Sequence, residues 1–119
     1  WKNKVNSNVR PSLVGDLLIT VSLEGFLMIL NKKTGNIIKI TDIFQNFKSK
    51  KRKEIKPIGF IVGLKNIYLT TSHGRLLVVD NSTGKTNSIL KIDNAKISRP
   101  FVINKNLYVV KDNSIIKLD

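Results

Sequence analysis

The chain repeats itself. Residues 24–35, EGFLMILNKKTG, read onto residues 73–84, HGRLLVVDNSTG, without a gap and 49 positions apart. A third copy opens at Asp112 as DNSIIKLD, where the sequence ends. Repeats of this period are supersecondary units that bury their faces against one another, so they fix the kind of fold before any single residue is weighed.

Three blocks follow one order. Each opens on a basic residue and a proline: Arg10-Pro11, Lys56-Pro57 and Arg99-Pro100. Proline lacks an N–H to donate and suits the first residue of a strand. Short strands are predicted at 12–14, 58–62 and 101–103, then turns at 15–16, 63–66 and 104–106. Second strands, rich in β-branched and aromatic residues, are predicted at 17–22, 67–71 and 107–110. Hairpin turns follow at Glu24-Gly25, His73-Gly74 and Asp112-Asn113, where Gly25, Gly74 and Asn113 supply positive φ. The third strands, 26–30, 76–79 and 115–118, are almost wholly apolar, which predicts burial on both faces. Turns closing on Gly35 and Gly84 lead to weaker fourth strands at 36–40 and 86–92.

A repeated four-stranded antiparallel meander with two apolar faces needs a similar sheet on each side, and radial stacking supplies that. The expected fold is all-β, a partial β-propeller of about two and a half four-stranded blades. Residues 1–40 form a blade with the remnant of an upstream strand at Trp1, 41–56 a basic inter-blade loop, 57–92 a second blade, and 93–119 a last blade lacking its outer strand. On this reading the missing strand marks the closing end of a ring, and Trp1 is an internal position of a longer protein. Within the loop, Ile43, Phe44 and Phe47 have helical spacing behind a possible Thr41 cap.

The blocks resemble the PQQ-like (quinoprotein-type) β-propeller repeat, through the stretches Gly25 to Gly35 and Gly74 to Gly84. Within that class the chain is similar to the C-terminal blades of the BamB family of outer-membrane assembly lipoproteins. SRPFVINKNLYVV at 98–110 and the finish on IIKLD carry that likeness. The aromatic that follows Thr-Gly in the repeat is absent twice, with Ile38 to Ile40 and Ile89-Leu90 in its place; only Trp1 keeps it. The resemblance implies a periplasmic, outer-membrane-associated scaffold without cofactor or catalysis. It implies a protein partner, the central component of the β-barrel assembly machine. The family's contact residues match no motif here.

Composition narrows the chemistry. With 41% apolar residues in 119 there is material for a core, and no Cys for a disulfide or thiolate site. No apolar run is long enough for a membrane-spanning helix. The net charge of +13 fits an anionic partner, and it equally fits the Lys/Asn/Ile bias of an AT-rich genome. The densest charge is Lys48, Lys50, Lys51, Arg52, Lys53 and Lys56, a candidate partner-binding loop as well as an ordinary solvated one. An acidic protein surface or anionic lipid suits it better than nucleic acid, because no aromatics interleave for stacking. A quinone-dependent dehydrogenase would need clustered Ca²⁺ ligands, yet the few acidic residues fall mostly at turns. His73 shares a turn position with Glu24 and Asp112, which predicts solvent exposure, not a ligand. Gly84-Lys85-Thr86 lacks the upstream glycine of a phosphate loop. Two and a half blades leave apolar faces open, so self-association through them is expected.

Overall fold

The structure is a computed structural model, and it describes Lys2, Ser7 and residues 9–118. Trp1, read above as a strand remnant and docking aromatic, lies outside the described residues. Strands β1 (Ser12–Val14), β2 (Leu17–Val21), β3 (Phe26–Asn31) and β4 (Ile37–Asp42) form one sheet, followed by helix α1 (Ser49–Glu54). Strands β5 (Pro57–Val62), β6 (Asn66–Thr71), β7 (Arg75–Asp80) and β8 (Thr86–Lys91) form a second sheet. A third comprises β9 (Phe101–Ile103), β10 (Asn106–Lys111) and β11 (Ser114–Lys117). In every sheet the strands neighbour one another in chain order, so each is a plain meander. The chain divides into two compact units, Trp1–Pro57 and Ile58–Asp119.

The turns follow from their residues. Gly15 has φ 59° at the first central position of the two-residue β1–β2 loop. Asp112 and Asn113, at φ 49° and 63°, carry positive φ at both centres of the β10–β11 loop, as Asn104 and Lys105 do between β9 and β10. Gly25 (φ 90°) and Gly74 (φ 69°) occupy equivalent turns. In each, a side-chain oxygen four residues before the donating amide accepts from it: Ser22 Oγ from Phe26, Thr71 Oγ1 from Arg75. The repeat extends to an irregularity. The β3–β4 register shifts between Ile29 and Leu30, and the β7–β8 register between Val78 and Val79, again 49 positions apart. One extra residue, Ile38 or Asn87, bulges each fourth strand.

In the first unit Ile19, Val21 and Leu27 share a buried sheet face. In the second, β7 is buried on both faces, with Leu77 and Val79 on one and Leu76 on the other. The expectation of double burial fails for β11, where Ile115 is 67% exposed. Its sheet is covered on the Leu107–Val109 face; Ile115 points to the opposite side.

Two further expectations are corrected. The helix does not start at Thr41, which pairs with Leu27 inside β4. Asp42 Oδ1 accepts the Phe44 amide, Phe44 is fully buried beneath Gly25, and Phe47 meets it edge-on at 5.5 Å. The aromatic spacing therefore serves core packing, while helix forms at Ser49–Glu54, where Lys, Arg and Glu favour it. His73 is half-buried, not exposed, because its turn packs on the 93–95 segment: Arg75 Nη1 donates to both His73 O (2.7 Å) and Asp93 O (2.8 Å).

Candidate partner-binding surface

A helix of six residues is about 9 Å long and marginal by itself. Two residues fix α1 in place. Ile55, at its C-terminal cap, is fully buried. Arg52 reaches inward and forms a fork on Asp42, with Nη2 donating to Oδ1 (2.6 Å) and Nη1 to Oδ2 (2.7 Å). Its Nη2 and Nε also donate to Glu24 O, at 3.0 and 3.3 Å. The guanidinium carbon lies 5.3 Å from the centre of the Phe26 ring. The Arg52 and Asp42 side chains are only 25% and 32% exposed, so the fork is partly shielded from water and worth more than a surface ion pair.

Arg52 thus belongs to the fold. Successive helical residues are turned by about 100°, so an inward Arg52 puts Lys50 on the opposite side and Lys51 and Lys53 on the two flanks. Lys48, Lys50, Lys51, Lys53 and Lys56 are all exposed. Basic residues in the last turn also suit the negative end of the helix dipole. Beside the helix is an open cleft of about 420 Å³, lined by Leu23, Glu24, Ser49, Arg52, Lys53 and Lys56. Of the six basic residues singled out from the sequence, three line this cleft; Lys50 and Lys51 lie on the helix and Lys48 at its N-cap.

Asp42, Phe26, Leu23 and the Glu24 carbonyl complete the surface, and the sequence reading passed over all four. No repeat pattern announces them: opposite the strand residue where β4 has Asp42, β8 has Lys91. The equivalent turn carbonyl at His73 is held by Arg75 from within its own strand. A guanidinium on the turn carbonyl is common to both repeats, although it arrives from different places in the chain.

The other singled-out positions are structural. Pro57 opens β5 and is buried, Pro100 is buried ahead of β9, and Pro11 is exposed. Gly35 and Gly84 have φ of 76° and 73° and close the turns before the fourth strands. Quinone-and-calcium chemistry asks for converging carboxylates. Among the described residues no three His, Asp or Glu side chains come together.

Sheets built as repeated meanders, with the same turn and the same bulge in successive units, define a partial β-propeller. Sequence comparison finds no matching protein family and no matching curated protein. Solved structures do match. BamB from Moraxella catarrhalis superimposes with a TM-score of 0.71 at 17% identity, over 96% of this chain and 31% of that one. The quinohemoprotein alcohol dehydrogenase ADHIIG from Pseudomonas putida HK5 gives 0.65 at 18%, over 92% and 17%. The β-propeller domain of Cps50 from Myceliophteria thermophila gives 0.65 at 14%, over 81% and 32%. The chain spans less than a third of each.

Proposed function

We propose that the chain is a non-catalytic protein-binding scaffold, part of a BamB-like periplasmic factor that assists assembly of outer-membrane β-barrel proteins. The observation that carries this reading is the superposition on BamB over nearly the whole chain, which agrees with the sequence motifs that carry the same resemblance. The mechanism is non-covalent. Hydrogen-bonded sheets are stiff, and they hold turns and connections in fixed positions from which a partner is contacted. Affinity isolation of the full-length protein from cross-linked envelope extract tests it. Recovery of the central component of the β-barrel assembly machine is the expected result, and repeated failure to recover any component of that machine overturns the reading.

A further inference from the structure

We propose that the α1 cleft and its lysine rim bind an acidic segment of a partner protein that presents an apolar side chain between carboxylates. The inference rests on the protein-binding reading and names the chemistry of one contact.

The cleft has two components. Its wall is apolar where Leu23 and the methylene stems of Arg52, Lys53 and Lys56 line it. Lys53 and Lys56 line it as well, and the same short segment carries the exposed Lys48, Lys50 and Lys51. The cleft itself carries Glu24, Lys53, Lys56 and the Arg52 that Asp42 engages, and the segment 48–56 adds three more lysines against one carboxylate, Glu54. Lysine ammonium groups are compact charges without a fixed fork, suited to carboxylates arriving in no set geometry. The arrangement therefore matches a ligand with negative charge flanking an apolar anchor.

A bilayer is a poorer match. Interfacial binding uses projecting apolar side chains, whereas the apolar surface here is recessed. RNA and DNA single strands are bound by stacking on aromatic faces. Near this cleft the Phe26 ring carries the Arg52 guanidinium, Phe44 is buried, and Phe47 packs edge-on against Phe44.

The test uses the full-length protein and a fluorescein-labelled peptide with the core Asp-Glu-Leu-Asp-Glu, read by anisotropy at low salt. A peptide with Ser for Leu, phosphatidylglycerol vesicles and poly-uridine RNA run in parallel. Saturable peptide binding is expected, weaker for the Ser peptide. Lys53→Gln and Lys56→Gln should each lower the affinity by about two- to fivefold, the range of single exposed charge contacts. Lys85→Gln, which removes the same charge from the exposed β7–β8 turn, should leave it unchanged. Thermal unfolding of each variant checks that the fold is intact. The proposal is overturned if the peptide does not bind, if the Ser peptide binds equally well, or if the Lys53 and Lys56 variants bind as wild type. It is also overturned if those lysines govern vesicle or RNA binding and not peptide binding. It fails separately from the scaffold reading: a Lys53→Gln/Lys56→Gln protein that still recovers its envelope partner in full removes this contact and leaves the scaffold standing.

Discussion

The space behind a glycine decides what a methyl group there would cost. Gly15 and Gly74 both have left-handed backbone, at φ 59° and 69°. A Cβ on Gly15 would meet nothing within 4 Å, whereas one on Gly74 would overlap the Asp93 and Ala95 carbonyl oxygens. Gly15→Ala should therefore cost only the left-handed strain, about 1–2 kcal/mol. Gly74→Ala adds a collision with backbone that cannot rotate away, for a total of about 3 kcal/mol or more. Urea midpoints of the two variants check this, and equal midpoints would refute the close packing of the 93–95 segment on the turn. At Gly25 the obstructing group is the Phe44 ring, a side chain that has its own packing to lose. That glycine belonged at these turns was legible from the repeat, since positive φ is a local demand. That Gly74 is also hemmed in was not, because the obstructing carbonyls lie some twenty residues away. The same limit hid the role of Arg52, whose partners Asp42 and Glu24 are ten and 28 residues distant.

The β3–β4 and β7–β8 turns build one hydrogen-bond pattern from different chemistry. Asn31 Oδ1 accepts the Lys33 and Thr34 amides at 2.9 and 3.1 Å. Asp80 Oδ1 accepts the Ser82 and Thr83 amides at 2.8 and 2.9 Å, and the Ser82 hydroxyl at 2.8 Å. Hydrogen bonds from the Thr83 amide, then from the Ser82 hydroxyl and amide, hold the Asp80 carboxyl below its ordinary range. Because the folded value lies below the unfolded one, the contribution is present above the unfolded value and is lost as pH falls through the folded value. Acidification below the usual carboxylate range should therefore loosen this turn in the wild type, and Asp80→Asn should abolish that dependence. Amide exchange at Gly84 against pH reads the effect, and an Asp80 carboxyl that titrates at or above the ordinary value would contradict it. Elements of this kind were readable because Asn, Asp, Thr and Gly act on the backbone next to them. The bulges at Ile38 and Asn87 left no comparable trace, and the aromatic spacing at Ile43, Phe44 and Phe47 imitated a helix that forms instead at Ser49–Glu54.

For the molecule as a whole, the repeat made the propeller legible, since three similar meanders admit few packings. The repeat says nothing of the cleft, which is built where the repeat is interrupted. Open faces of the sheets raise a separate question. In the first unit Leu13, Ile37 and Ile40 are exposed on one sheet face, at the margins of the buried Leu30 and the half-buried Met28. In the second unit Ile103, Val110 and Ile115 share a face with Phe101 and Tyr108, whose rings stack at 5.8 Å. Surfaces of this composition favour association, and a second copy of the 119-residue chain offers both. The charge of +13 opposes it, but charge repulsion between exposed groups is screened by salt whereas apolar contact is not. Self-association should therefore strengthen as salt rises from low levels to about 0.5 M, where the screening length falls to a few ångströms. Light scattering across a concentration series at both ends of that range measures it. A chain that stays monomeric at high concentration in high salt would rule out association through these faces. Acidic-peptide binding at the α1 cleft must move the other way, weakening with salt, because it depends on attraction between exposed charges. The opposite salt responses separate the two surfaces in one protein: salt that releases the peptide should, over the same range, bring the chains together.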